Sequence, residues 1–214
     1  MTPEQQSQKT RALCQLAPVV PVIVIKDAAK AADLARSLVA GGLPVLEVTL
    51  RSDAALDSIR AMSQVAGGHV GAGTVLTPDD AKRAKDAGAS FAVSPGLTDR
   101  LIDACADLEL PLLPGAVTAS EIMRAADAGF DMLKFFPAEA VGGAPALKSL
   151  AGPLPKVSFC PTGGVSPDNA TDYLSLPNVV CVGGSWIVTE NDMNHGNWSA
   201  IEGRARTAAA LRRD

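Results

Sequence analysis

Short, nearly continuous hydrophobic runs alternate along this chain with longer Ala-rich stretches whose apolar positions recur with a helical period. A run that is hydrophobic at successive positions is typical of a strand covered on both faces, as in a parallel sheet. The pattern therefore predicts parallel strands in a β-α-β-α order. We place eight of them at residues 19–25, 44–50, 69–75, 91–94, 111–114, 132–136, 157–160 and 179–182.

The stretches between these strands predict helices. Several begin with Thr-Pro, Ser-Pro or Asp, which favour a helix start. Ala-Gly pairs at 40–41, 87–88 and 128–129 are typical of a helix end that leads into the next strand. The predicted helices are 28–40, 54–65, 78–87, 99–107, 120–128 and 167–174, with others near 4–16 and 198–212 at the two ends.

Repeated β-α units predict an α/β fold, a (β/α)8 TIM barrel, with an extra helix at the N-terminus. The chain has 214 residues, fewer than the ~250 typical of that fold, so its loops must be short. We expect one domain over residues 1–214. An open doubly wound sheet is the alternative fold, and it is disfavoured because Ile25-Lys26-Asp27 follows the first strand, where a dinucleotide-binding sheet carries GxGxxG.

Charge and composition exclude several classes of function. The formal net charge of -4 provides no overall positive field for nucleic acid or an anionic membrane. Four cysteines without a CxxC pair predict a reducing compartment, and neither a signal sequence nor an apolar run of ~18 residues is visible. The two histidines are far apart, so we expect no metal site and no Ser-His-Asp triad. We predict a cytoplasmic protein.

Lysine is the first candidate for chemistry. The active site of a parallel barrel forms at the C-terminal ends of its strands, and of eight lysines only Lys26 and Lys134 fall within or at the end of a predicted strand. Lys134 lies in the apolar sequence MLKFFP, which disfavours an ammonium ion, whereas Asp27 follows Lys26 and favours one. We therefore predict Lys134 as the amine nucleophile. A lysine that only reaches the rim or pairs with an acid is the alternative.

Glu47 is the second candidate, because it interrupts an otherwise apolar strand where an unpaired carboxylate is costly to bury. A simple salt bridge to Arg51 would account for it. Glu47 and Arg51 are an even number of positions apart, which predicts that both face the barrel interior. Together with Lys134 they would form a site with a base, an anion-binding group and an amine.

Further polar groups fall at predicted strand ends. Thr74 and Thr162 offer hydroxyl groups after the third and seventh strands. The pairs Gly163-Gly164 and Gly183-Gly184, the latter followed by Ser185, come after strands seven and eight, where barrels bind phosphate through backbone N–H groups. The sequence thus predicts a local phosphate site.

With these residues placed, the chain resembles the bifunctional 2-keto-3-deoxy-6-phosphogluconate (KDPG) / 4-hydroxy-2-oxoglutarate (KHG) aldolase family over nearly its whole length. The segments that carry the resemblance are EVTLR (47–51), GAGTV (71–75), SPG (94–96), KFFPAE (134–139), PTGG (161–164) and GGSW (183–186). The resemblance implies that Lys134 is the Schiff-base lysine and Glu47 the general acid/base. It also implies that Arg51 and Thr74 bind the pyruvyl carboxylate.

Further roles follow from the same resemblance. It implies that Thr162 helps to select the aldehyde face and that Phe136 lines the pocket. The phosphate would be held by Gly163, Gly164, Gly184 and Ser185. The implied enzyme is a class I aldolase that needs no metal or organic cofactor, forms a homotrimer and cleaves a small phosphorylated keto acid, KDPG, into pyruvate and glyceraldehyde 3-phosphate, with KHG as a further substrate.

Three other functions stay open at this point. An aldolase for the galactonate epimer shares the lysine and the barrel, although Thr162 favours the gluconate substrate. A phosphate-binding barrel isomerase would use a strand carboxylate without forming an imine, and borohydride trapping would distinguish it. A non-catalytic phosphosugar-binding barrel would need the Gly-Gly loops alone and would leave Glu47 and Lys134 without a role.

Overall fold

The structure is a computed structural model that describes residues 1–211. Its strands are β1 (Val19–Ile23), β2 (Val45–Thr49), β3 (His69–Gly73), β4 (Phe91–Val93), β5 (Leu112–Leu113), β6 (Met132–Phe135), β7 (Ser158–Pro161) and β8 (Val182–Gly184). Its α-helices are α1 (Pro3–Cys14), α2 (Ala31–Ala40), α3 (Ala55–Met62), α4 (Pro78–Asp86), α5 (Asp99–Asp107), α6 (Ala119–Asp127), α7 (Gly143–Ala151), α8 (Ala170–Leu174), α9 (Glu190–His195) and α10 (Trp198–Ala209). Across residues 1–211 no helix has the length and apolar character needed to cross a membrane.

The strands form a parallel α/β fold, as the alternating pattern predicts. Six of them form one sheet in the order β5-β4-β3-β2-β1-β8, and β6 pairs with β7 in a second sheet. Within residues 1–211 every strand pair is parallel. Single parallel bridges, Gly115 with Lys134 and Thr162 with Gly183, connect the two sheets at either side of β6 and β7.

Alternate residues of each strand enter two separate hydrophobic cores, because successive side chains of a strand point to opposite faces. The larger core lies between the strands and the helices, and it includes Leu46, Ala92, Leu112 and Leu133. The smaller core is enclosed by the opposite face of the strands, and it includes Val45, Phe91, Leu113 and Met132. Glu47 and Lys134 share strand parity with this inner core, so both belong to the enclosed face.

The additional N-terminal helix is α1, and it packs against the beginnings of β5 and β6. Its start has a capping box, in which Thr2 and Gln5 each satisfy the other's backbone N–H group. Further along the helix, Gln6 Oε1 accepts the Leu112 N–H at 3.2 Å and Ser7 Oγ accepts the Met132 N–H at 2.8 Å. The helix therefore covers the amino-terminal ends of these strands and leaves the carboxyl-terminal ends to the site.

The eighth strand lies later in the chain than predicted. Residues 179–182 carry the hydrophobic signal, but β8 pairs through Val182, Gly183 and Gly184 with Val19–Pro21 of β1. Glycine has no side chain to mark a strand in a hydrophobic pattern. The Gly183-Gly184 pair is consequently part of the strand, and only Ser185 follows it.

Several helix boundaries also differ from the prediction. The helix expected at 28–40 begins as a 3-10 turn over Ala28–Lys30 before α2. Neither α7 nor α9 was predicted. For α7, the Gly142-Gly143 pair and Pro145 resemble helix breakers, although proline is compatible with the first turn of a helix. The last helix ends at Ala209, and Arg212 of the predicted 198–212 helix lies outside the described residues.

Candidate active site

Lys134 and Glu47, which the sequence predicted as nucleophile and base, contact each other in the structure. Lys134 comes from β6 and Glu47 from β2, and Lys134 Nζ donates a hydrogen bond to Glu47 Oε1 at 2.9 Å. Their side chains are 8% and 4% exposed. The simple salt bridge between Glu47 and Arg51 is therefore replaced by a pair that joins two strands distant in sequence. This pair also gives Lys134 a charged neighbour, whereas its local sequence is entirely apolar.

Gly73 provides the space for the Glu47 carboxylate. It lies at the end of β3, beside Thr49 of β2. A Cβ atom at Gly73 would lie 2.3 Å from Glu47 Oε1 and 2.7 Å from its Cγ, far inside van der Waals contact. The sequence segment GAGTV contained this glycine, but no role was assigned to it. The structure shows that a larger residue at position 73 would displace the Glu47 carboxylate from its position beside Lys134.

Arg51 lies beyond the end of β2 and is exposed. Its Nε donates a hydrogen bond to Thr49 Oγ1 at 3.3 Å, and it borders a cavity of about 410 Å³ that Asp80 and Arg83 also line. In residues 1–211 no ion pair joins Arg51 to Glu47. Arg51 lies two residues beyond the end of β2, and strand parity therefore does not determine its direction, although its hydrogen-bond partner Thr49 shares the parity of Glu47.

Thr74 has a strained backbone at the end of β3. Its φ of 59° lies in the left-handed region, which is a clear outlier for a β-branched residue. Strain of this kind costs about 1–3 kcal/mol and is concentrated at functional sites. The half-buried Thr74 is thus held in an unfavourable conformation directly after the glycine that accommodates Glu47.

Phe136 and Thr162 lie near Lys134 at the ends of β6 and β7. The Phe136 ring centroid is 5.5 Å from Lys134 Nζ, and the side chain is 38% exposed. The buried Thr162 hydroxyl donates to the Cys160 carbonyl at 3.4 Å. A Cβ atom at Gly183 would lie 2.2 Å from Thr162 Oγ1. Gly183 therefore provides space for Thr162, as Gly73 does for Glu47.

The glycine pair after β7 forms a turn with available backbone donors. Gly163 and Gly164 have φ values of 97° and 78°, which favour glycine. Their carbonyls are occupied, since Gly163 O accepts the Glu139 N–H at 3.1 Å and Gly164 O accepts from Asn169 Nδ2 at 3.1 Å. Among the hydrogen bonds of residues 1–211, none uses the N–H group of Gly163 or Gly164. Two backbone donors are thus free to bind an anion.

Gly184 and Ser185 lie beside this turn, because Thr162 and Gly183 form a bridge between β7 and β8. Gly184 is buried, and a Cβ atom there would lie 2.0 Å from the Trp186 ring. Ser185 is exposed and borders a cavity of about 170 Å³. The predicted phosphate residues therefore lie at the carboxyl ends of two neighbouring strands.

Lys26, the competing lysine, lies on the rim of the sheet. It pairs with Glu190 at 2.8 Å, and the two side chains are 70% and 66% exposed. Its charged partner is Glu190, not the adjacent Asp27, which lies 3.7 Å from Lys30. Of the two candidate lysines, only Lys134 is buried beside a second reactive group.

Glu139 and Tyr173 adjoin the glycine turn, although the sequence analysis assigned them no role. Tyr173, the single tyrosine of the chain, is buried in α8 and donates a hydrogen bond to Glu139 Oε1. Burial, the hydrogen bond and the charge of Glu139 raise the pKa of Tyr173. A Cβ atom at Gly164 would lie 2.5 Å from Glu139 Cγ, so Glu139 packs directly against the turn. The KFFPAE segment was the only signal of it in the sequence.

Three cysteines lie close together although they are far apart in sequence. Cys14 and Cys160 belong to the inner core, and so does Cys181. Hydrogen bonds with Cys14 and Cys160, together with burial, raise the pKa of Cys181. Within the described residues no disulfide forms, and no group of three or more His, Cys, Asp or Glu side chains is arranged to hold a metal ion. The expectation that no cofactor is needed stays a prediction.

Comparison with known proteins identifies the family. The family model for KDPG and KHG aldolase matches residues 10–203. The chain belongs to the KDPG and KHG aldolase family. The resemblance inferred from the six sequence segments is therefore confirmed. Solved structures of the family match more than nine-tenths of the chain.

Individual members of the family agree closely with this chain. The KHG/KDPG aldolase of Escherichia coli (strain K12) is 51% identical over 192 residues, which are 89% of this chain and 90% of that protein. The crystal structure of the KDPG aldolase of Zymomonas mobilis ZM4 with 3-phosphoglycerate has a TM-score of 0.91 and 46% identity, and it covers 97% of this chain and 98% of its own. The KDPG aldolase of Legionella pneumophila, with pyruvate captured as a covalent carbinolamine intermediate, has a TM-score of 0.90 and 45% identity over 94% of this chain and 98% of its own.

Proposed function

We propose that this chain is a class I aldolase that cleaves KDPG into pyruvate and D-glyceraldehyde 3-phosphate through an imine on Lys134, and that KHG is a second substrate. The buried pair of Lys134 and Glu47 carries the proposal. A buried ion pair adds little net stability, because lost hydration offsets the attraction of the charges. An amine in contact with a proton acceptor is, however, what an imine-forming aldolase requires. The carbinolamine of the Legionella relative is a precedent for the first step.

In the first half of the reaction, Glu47 takes a proton from Lys134, whose Nζ is 2.9 Å away. The neutral amine then attacks the C2 carbonyl carbon of the keto acid. Glu47 returns the proton to the carbinolamine hydroxyl group, which leaves as water, and an iminium ion remains. The positive iminium nitrogen attracts the electrons of the C3–C4 bond, which prepares that bond for cleavage.

In the second half, the ionised Glu47 accepts the proton of the C4 hydroxyl group, directly or through a water molecule. The C3–C4 bond breaks, its electron pair forms an enamine, and glyceraldehyde 3-phosphate leaves. Glu47 returns the proton to C3 of the enamine. Water then hydrolyses the pyruvyl iminium, which releases pyruvate and restores the protonated amine of Lys134.

The remaining site residues are proposed to bind the two ends of the substrate. Arg51 and Thr74 bind the pyruvyl carboxylate, since a guanidinium can hold a carboxylate by two parallel hydrogen bonds. Thr162 orients the C4 hydroxyl, and Phe136 lines the pocket near Lys134. The N–H groups of Gly163 and Gly164, with Gly184 and Ser185 of the adjacent strand end, bind the phosphate.

For the architecture, we propose that the two sheets are parts of one closed (β/α)8 barrel, formed by a single domain over residues 1–214. The bridges from Gly115 to Lys134 and from Thr162 to Gly183 support closure, since each joins a strand of one sheet to its neighbour in the other. We also propose a homotrimer. Leu76 and Met123, each 56% exposed, are apolar surface that a partner subunit could cover.

Substrate preference is the direct test of the proposed function. We expect kcat/KM for KDPG to exceed that of its dephosphorylated counterpart by roughly 10²-fold, because binding energy at the phosphate assists the reacting carbons. The measurement is pyruvate release from KDPG, its galactonate epimer, 2-keto-3-deoxygluconate and KHG. Equal rates with and without phosphate would contradict the phosphate site. Preference for the epimer would identify the other aldolase, and no pyruvate from any substrate would exclude an aldolase.

Gly73→Ala tests the placement of Glu47. We expect kcat for KDPG to fall by roughly 10²-fold, since the new methyl group must displace a reacting group by about an ångström. The matched control is Gly152→Ala, because a Cβ atom at Gly152 has no neighbour within 4 Å. Steady-state kinetics of both variants measure the effect. An unchanged kcat in Gly73→Ala would show that the position of the carboxylate does not limit turnover.

A further inference from the structure

We infer that Glu139 and Tyr173 are positioning residues for substrate phosphate, which hold the Gly163-Gly164 turn in the shape that presents its N–H groups. The inference deepens the proposed function, on which its choice of substrate rests. Neither residue needs to touch the phosphate. They act on the turn through backbone hydrogen bonds, a packing contact and one buried hydroxyl group.

The first support is a pair of backbone hydrogen bonds that continue beyond the paired strands. The Ala138 N–H donates to Thr162 O at 2.8 Å, and the Glu139 N–H donates to Gly163 O at 3.1 Å. In a planar trans peptide, the carbonyl of one residue and the N–H of the next point in opposite directions. The N–H groups of Gly163 and Gly164 are therefore turned away from residues 138 and 139. Successive N–H groups that point outward form an anion-binding concavity.

The second support is the packing of the Glu139 side chain. Its Cγ occupies the space that a Cβ atom at Gly164 would need, 2.5 Å from that position. On the other side of the turn, Asn169 donates to the Gly164 carbonyl at 3.1 Å and accepts the Ser166 N–H at 2.8 Å. The turn is thus held between Glu139 and Asn169, and its carbonyl groups face the protein.

The third support is Tyr173, which fixes the direction of the Glu139 carboxylate. Tyr173 is fully buried in α8 and donates its hydroxyl proton to Glu139 Oε1. Because burial and Glu139 raise the pKa of Tyr173, the hydroxyl keeps its proton at neutral pH. A carboxylate near a phosphate would otherwise repel it. The bond to Tyr173 directs this oxygen toward α8.

Two variants and one rescue test the inference. For Glu139→Ala we expect KM for KDPG to rise about tenfold, while kcat for KDPG stays within about twofold of wild type. For KHG, which has no phosphate, both kcat and KM should stay within about twofold of wild type. For Tyr173→Phe, which removes one oxygen atom, we expect KM for KDPG to rise about fivefold. Glu139→Gln keeps an oxygen acceptor for Tyr173 and should retain wild-type KM. Glu202→Ala, on α10, is the matched control.

A second measurement separates this inference from the proposed function. Binding of inorganic phosphate, followed by ³¹P NMR on the full chain, should weaken about tenfold in Glu139→Ala. If wild type does not cleave KDPG but the phosphate effect is found, the positioning role stands and the aldolase assignment fails. Any of three results would overturn the inference. Both variants could keep the wild-type KM for KDPG, a variant could lose kcat/KM equally on KDPG and KHG, or the wild type could fail to bind phosphate.

Discussion

Lys134→Ala should abolish both KDPG cleavage and the trapping of pyruvate by borohydride, because no other amine in residues 1–211 is buried beside Glu47. In the wild type, incubation with pyruvate and borohydride should add one reduced pyruvyl group, and peptide mass spectrometry should place it on Lys134. Loss of the nucleophile removes the covalent route, so the remaining rate should fall below detection.

Lys26→Ala is the matched control for this prediction. Lys26 is the other lysine near a strand end, but it is exposed and paired with Glu190 on the rim. This variant should keep the reduced pyruvyl label on Lys134. Because alanine also removes most of the side-chain volume, Lys134→Met, which retains the apolar length of the side chain, is measured beside it. A label on Lys26, or activity in folded Lys134 variants, would contradict the imine on Lys134.

Glu47→Gln is expected to lower kcat by roughly 10²–10⁴-fold, the range expected when a general acid/base is lost. Glutamine has nearly the same shape, so it fits the space beside Gly73, but it cannot take the C4 hydroxyl proton. Lys134 is still present, and borohydride should still trap pyruvate on it, although more slowly. Steady-state kinetics and mass spectrometry on one preparation separate the two effects.

The matched control for this variant is Glu202→Gln, which makes the same chemical change on α10, away from the site, where the Glu202 side chain is 36% exposed. It should leave kcat unchanged. Near-wild-type turnover in Glu47→Gln would assign the proton transfer to another group, such as the hydroxyl of Thr162 or an ordered water molecule. Loss of trapping together with turnover would show that Glu47 is needed mainly to form the imine.

Much of the fold could be predicted from the sequence, because the signals involved are local. Strands β2, β4 and β6 were located to within one or two residues, since burial on both faces requires consecutive apolar residues. Starts of helices such as α4 and α5 follow from Thr77 and Thr98, whose hydroxyl groups cap the first turn. Weakly hydrophobic elements were less predictable, as β8 shows with its two glycines.

The chemistry of the site was also visible in part. Lys134 and Glu47 are conspicuous because a charged residue inside an apolar strand needs a partner or a function. Their pairing could not be predicted in the same way. The sequence placed Glu47, Arg51 and Lys134 in one site, with a salt bridge from Glu47 to Arg51 as the alternative, but it did not predict direct contact between Glu47 and Lys134, which are 87 residues apart.

The sequence by itself determined the alternation of strands and helices, the identity of the buried charges and the membership of a family. Only the tertiary structure decided which of these groups meet: Glu47 with Lys134 over Gly73, and Tyr173 with Glu139 under the glycine turn. The reason is physical. Hydrophobic period and helix capping act over a few residues, but the packing of several parallel strands brings together side chains from distant segments, and their contacts depend on the register and space that the whole fold provides.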